Sequence, residues 1–119
     1  MPYPQEVERV LARWIEGLKA KASVHVAMQK RINEDNGLPF TDEDKGDEEA
    51  CWLHRYRIRF DDWRNEWRLS DGRCGWGTVL VYSPDSNAWF TDCNYTGSRT
   101  DGPFEQSEAE DLAELIWTG

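Results

Sequence analysis

The chain has 119 residues and a formal net charge of −9, and it reads as one domain with a modest core. That balance argues against bare nucleic acid and anionic membrane surfaces as partners, and no apolar run approaches the ~18 residues of a membrane span. Only 39% of the residues are apolar, yet seven are Trp. Burying all of them would remove about 1,000–1,750 Å² from water, so most belong in the core. One or two left outside would make binding anchors.

The charge is unevenly placed. Residues 1–33 carry a net +3, residues 34–50 a net −7, residues 51–91 a net +1 and residues 92–119 a net −6. Cationic surfaces are the natural complement of such a protein, and many of them belong to proteins that handle nucleic acid. The other reading of the acidity is solubility alone. The three cysteines, Cys51, Cys74 and Cys93, form an odd set with no close CxxC pair, and no signal-peptide pattern precedes them. We therefore expect a reducing, cytoplasmic setting, the host cytoplasm if the protein is phage-encoded.

Val7, Val10, Leu11, Trp14, Ile15 and Leu18 recur at helical spacing after Pro4 and predict an amphipathic helix over about residues 5–21. Ser23 to Asn33 fits either an alternating strand or a second helix, capped by Ser23 and ended near Asn36-Gly37; helix is the preferred reading. Residues 33–50 read as an acidic loop, because eight acids against one lysine repel one another. A calcium loop there fails on register, since Gly46 falls fifth from Asp42 rather than sixth.

From Cys51 the period becomes two, and residues 51–95 read as an antiparallel meander of three to five strands. Trp52, His54, Tyr56, Ile58 and Phe60 would share one face, and Leu53, Arg55, Arg57 and Arg59 the other. Trp63, Asn65, Trp67 and Leu69 alternate against Arg64, Glu66 and Arg68. The two runs suit a hairpin in which Arg faces Glu across the strands. Thr78–Tyr82 is apolar enough to be central, Ser83–Asn87 is a turn, and Ala88–Tyr95 returns. Residues 97–103 read as loop. Ser107 and Glu110 have capping-box spacing for a last helix over 107–117. The expected class is α+β: one or two N-terminal helices, the meander, and a C-terminal helix packed on one sheet face.

Few constellations carry chemistry. Cys51, His54, Cys74 and Cys93 are a possible zinc set, but only Cys51 and His54 are closely spaced, and on a strand they would face opposite sides. The glycines of residues 70–77 match no phosphate-binding motif. The Arg55/Arg57/Arg59 stripe with Tyr56 and Phe60 has a weak likeness to an RNA-stacking strand. Alternation sets its aromatics on the face opposite the arginines, so it reads as a solvated face paired with local acids. No metal, cofactor or catalytic residue is expected, and the protein is read as a non-enzyme.

In size, acidity and lack of a catalytic motif, the chain resembles two classes of small inhibitor: phage anti-CRISPR proteins and the immunity proteins that neutralise bacterial toxins. Neither class has a unifying signature, so the resemblance assigns no residues. It implies a target such as a CRISPR effector or its nuclease in the first case and a cognate toxin in the second; the first is preferred. On this reading Asp42, Glu43, Asp44, Asp47, Glu48 and Glu49, with Glu108 and Asp111 of the last helix, imitate spaced phosphates and meet a basic protein surface. Exposed aromatics among Trp63, Trp67, Trp76 and Trp89 would add short-range specificity. A structural or adaptor module of phage origin is the remaining alternative.

Overall fold

The computed structural model describes residues 3–72 and 77–118, so Cys74 and Trp76 lie outside the described residues. The elements run α1 (Gln5–Asp35), α2 (Asp42–Leu53), β1 (Arg57–Asp61), β2 (Glu66–Ser70), β3 (Thr78–Ser83), β4 (Ala88–Cys93), β5 (Arg99–Phe104) and α3 (Gln106–Thr118). The fold is α+β. Its five strands form an antiparallel meander in sequence order, which makes β3 central. No helix among the described residues is long and apolar enough to cross a membrane.

The strand register explains the core. Phe60 pairs with Trp67, Trp67 with Tyr82, Tyr82 with Trp89, and Trp89 with Phe104. Period-two alternation then sets one aromatic row across the whole sheet on a single face. Neighbours in it touch, with ring centroids 5.0 Å apart for Phe60 and Trp67 and 5.1 Å for Tyr82 and Trp89. Onto this row pack Val7, Val10, Trp14 and Leu18 of α1 and Ala109, Ala113 and Trp117 of α3, all buried. The tryptophans behave as their cost in water demands: Trp14, Trp67, Trp89 and Trp117 are buried.

Helix α1 is a single 31-residue helix in which Ser23 is an interior residue rather than a cap. It ends where expected: Gly37 takes a φ of 67°, Gly37 N–H donates to Glu34 O, and Leu38 N–H donates to Asn33 O. These are the paired closing bonds of a Schellman ending. Its buried residues stop at Ala22, so the second half projects beyond the sheet. There α2 folds back along it, with Trp52 stacked on His25 at 4.4 Å and Asn33 Nδ2 donating to Pro39 O. The chain is accordingly elongated, 56 × 27 × 23 Å.

Gly17 marks the closest approach of α1 and α3. A Cβ there would lie 2.9 Å from Glu114 O and 3.2 Å from Trp117 Cβ. Gly17→Val is expected to cost about 1–3 kcal/mol by forcing the helices apart, despite valine's better helix propensity. Urea denaturation followed by tryptophan fluorescence measures this; unchanged stability would show that the contact yields freely.

Four expectations are corrected. The acidic segment is not a loop: Thr41 accepts from Asp44 N–H and Asp44 Oδ2 accepts from Thr41 N–H, a reciprocal cap. Three acids in the first turn then complement the helix dipole, and Trp52 and Leu53 dock the far end. Consequently Cys51–Leu53 close that helix, and the first strand begins only at Arg57. Residues 99–104 form an edge strand, where Pro103 is tolerated because edge N–H groups need no partner. Finally, α3 begins at Gln106, its entry held by Glu108 Oε1 accepting from Glu105 N–H, so Ser107 lies within the first turn.

Candidate functional site

Two surfaces stand out, one anionic and one cationic. The anionic one is the tip of the projecting helical hairpin. Asp42, Glu43, Asp44 and Asp47 are exposed, Glu48 and Glu49 are half-buried, and Glu34 and Asp35 at the end of α1 are exposed beside them. Only Glu49 among these acids is in an ion pair among the described residues, a loose one of 3.8 Å with Lys45. Apolar groups accompany the charge: Leu38 is 58% exposed, and Val24, Met28 and Ile32 form an exposed i, i+4, i+8 stripe along the outer flank of α1.

The acids of α3 behave differently. Arg13 bridges Asp111 at 3.1 Å and Glu114 at 2.6 Å, and Arg9 reaches Glu110 at 3.3 Å. The hydrogen bond to Glu114 is the chief cause that raises the Arg13 guanidinium above its ordinary pKa. Glu108 is engaged at the entry of its own helix. Position separates the two groups as well. Gln106 Nε2 donates to Glu6 O, at the start of α1, whereas Pro39 is tied to Asn33 near its end. At 1.5 Å per residue the two acidic groups lie about 40 Å apart. The structure therefore does not bring Glu108 and Asp111 together with residues 42–49.

Of the aromatic candidates, Trp63 is 92% exposed, whereas Trp67 and Trp89 are buried at 8% and 1%. The latter two face the helices and cannot anchor a partner. Trp89 is fixed further by its Nε1–H donating to Gln106 Oε1 at 2.7 Å.

The cationic surface is the helix-free face of the sheet. The register sets Arg59 opposite Arg68 and Asp61 opposite Glu66, so the expected Arg-to-Glu pairing does not occur. Arg55 does not belong to this stripe. It turns to the helix side, its guanidinium over Trp52 at 4.4 Å and paired with Asp71 at 2.7 Å. The face is organised instead by Asp92, which is fully buried on β4. Arg68 Nη1 and Arg99 Nε each lie 2.8 Å from it, and Arg64 Nη1 lies 3.9 Å away. Arg99 binds Asp92 Oδ1 as an ion pair by distance, without the alignment of a hydrogen bond. Its Nη2 also reaches Glu66 at 2.7 Å.

Above this network lies a cleft of about 490 Å³, lined by Arg57, Arg59, Arg64, Arg68 and Asp61 with Trp63 at its hairpin end. Asp61 Oδ1 accepts the backbone N–H groups of Trp63 and Arg64, which shapes the turn that presents both. The cleft was missed in the sequence because the stripe was expected to be quenched by its neighbours. A clue lies in the spacing: a hairpin loop of four residues, 62–65, fixes the register that sets arginine against arginine.

The cysteines do not converge. Cys51 is exposed at the end of α2 and Cys93 half-buried at the end of β4, both free thiols, and His54 caps α2. The expectation that Cys51 and His54 face apart on a strand fails with the strand itself. Among the described residues no group of three His, Cys, Asp or Glu side chains is placed to hold a metal ion. A hydrogen bond from the Thr96 side chain, helped by backbone bonds, lowers the Cys93 thiol pKa.

No protein-family model matches the chain, and neither a curated protein nor a solved structure matches it significantly.

Proposed function

We propose that the protein is a non-enzymatic inhibitor that occupies the basic surface of a nucleic-acid-handling protein, in the manner of an anti-CRISPR protein, using the hairpin tip. One observation carries this reading. Seven of the eight acids of residues 34–50 make no ion pair among the described residues, while the acids of α3 are engaged internally. An uncompensated negative surface on a projecting arm steers a cationic partner and raises its rate of encounter. The flanking Leu38 and Ile32, both well exposed, supply the apolar contact that a protein partner offers and a phosphate backbone does not. Compared with the sequence-based reading, α3 and the buried tryptophans drop out of the interface. A second reading, an adaptor assembling through the same arm, is favoured by the exposed Val24, Met28 and Ile32 stripe.

The test spares the cap and reverses charge beside it. Glu43→Lys combined with Asp47→Lys is expected to weaken binding to a partner captured from bacterial lysate by at least tenfold at about 0.1 M salt. The gap should narrow as screening grows. Thermal unfolding should stay near wild type, since both side chains are exposed. Capture unaffected by the reversal overturns the mimicry. Concentration-dependent self-association that survives the reversal favours the adaptor.

A further inference from the structure

We infer that the arginine cleft on the helix-free sheet face binds a nucleoside polyphosphate, its phosphates on Arg57 and Arg59 and its base on Trp63. The argument begins with the charges that fail to cancel. Five guanidiniums, Arg57, Arg59, Arg64, Arg68 and Arg99, share this face with three carboxylates, Asp61, Glu66 and Asp92. The two buried carboxylates are already engaged: Asp92 by Arg68 and Arg99, Glu66 by Arg99 at 2.7 Å and Arg68 at 3.6 Å. Asp61 points its Oδ1 into its own turn. Arg57 and Arg59 are exposed and make no ion pair or hydrogen bond among the described residues.

Like charges directly opposite each other destabilise a sheet, and Arg59 faces Arg68, whose side chain is only 10% exposed. An anion bridging Arg57 and Arg59 relieves that repulsion. Residues two apart on one strand face lie roughly 6.5–7 Å from each other, a gap that a di- or triphosphate chain spans. Guanidinium forks match phosphate oxygens in pairs. The aromatic component comes from the same cleft, where Trp63, almost wholly exposed, offers a ring face at the hairpin end. An indole so placed stacks on a base and serves no packing purpose in the domain. The size of the cleft, about 490 Å³, suits one nucleotide. The overall charge of −9 disfavours a long polyanion, which would feel the whole field, far more than a small ligand held locally. This site is separate from the hairpin tip and does not depend on its role.

The test is calorimetric titration of the full chain with ATP, sodium pyrophosphate and a ten-nucleotide single-stranded RNA in magnesium-free buffer. ATP is expected to bind saturably at one site. Arg57→Ala and Arg59→Ala should each weaken it about tenfold, the loss of one charge-assisted contact. Trp63→Ala should weaken ATP about five- to tenfold, by loss of stacking, and leave pyrophosphate unchanged. All three side chains are outside the core, and matching circular dichroism would establish that the variants fold. No saturable ATP binding, or ATP binding indifferent to both arginines, overturns the inference. ATP binding unaffected by Trp63→Ala overturns it as well, in favour of a simple anion site. Binding of the RNA without ATP overturns it in favour of a strand-binding face.

Discussion

Asp92→Ala is expected to destabilise the protein by about 3–5 kcal/mol, the cost of leaving buried partner charges uncompensated. Asp92 is fully buried, and both its oxygens are engaged by guanidiniums at 2.8 Å, from Arg68 on one side and Arg99 on the other. Without the carboxylate, Arg68 would stand nearly dehydrated, with Arg59 opposite it and Arg64 and Arg99 close by. Asp92→Asn keeps the shape and one acceptor oxygen and should fall between wild type and alanine. A double variant, Asp92→Leu with Arg68→Leu, replaces the pair by hydrocarbon and should recover much of the loss. Urea denaturation with tryptophan fluorescence distinguishes these outcomes. A cost for Asp92→Ala below about 1 kcal/mol would mean that the arginines swing into water at little expense.

The second large effect is expected at Trp14, where replacement by alanine should cost about 3–5 kcal/mol. Its side chain is fully buried, meets the Trp117 ring edge-on at 5.5 Å, and donates its Nε1–H to Arg55 O at 3.2 Å. It therefore ties α1 to α3 and to the segment that leads into β1. Trp14→Phe retains much of the buried area but leaves the Arg55 carbonyl without this donor, which adds about 1–3 kcal/mol if that oxygen stays dry. The same denaturation experiment reads both variants. Alanine close to phenylalanine would show that the cavity collapses and that the hydrogen bond dominates.

Where one physical rule acts alone, the chain is legible from its residues. The stripe of Val7, Val10, Trp14 and Leu18 could bury its apolar surface only as a helix, and the apolar run at 78–82 could only be central in the sheet. Where two rules compete, the reading failed. Between residues 41 and 53, mutual repulsion of acids opposes a reciprocal cap, a favourable dipole and a docked tryptophan, and the latter together win. At residues 99–104, Gly102 and Pro103 signal a loop, yet an outer strand tolerates both. Burial of Trp67 and Trp89 follows from one-residue parity relative to Trp63, which composition cannot supply. The candidate tip was visible as a charge run, though its shape was not. The cleft depends on strand register, which rests on pairing across the sheet rather than on any local pattern.

The uninterrupted course of α1 has one more consequence. Its first half is locked into the core and its second half carries the acidic end, so no hinge lies between them. The acidic end is held at a fixed standoff from the sheet, about 20–25 Å past Leu18 by helix rise. The arginine-lined side of the sheet faces the other way. A macromolecule gripping the rod's far end leaves that side accessible, so a ternary assembly is sterically permitted, with each site filled independently of the other.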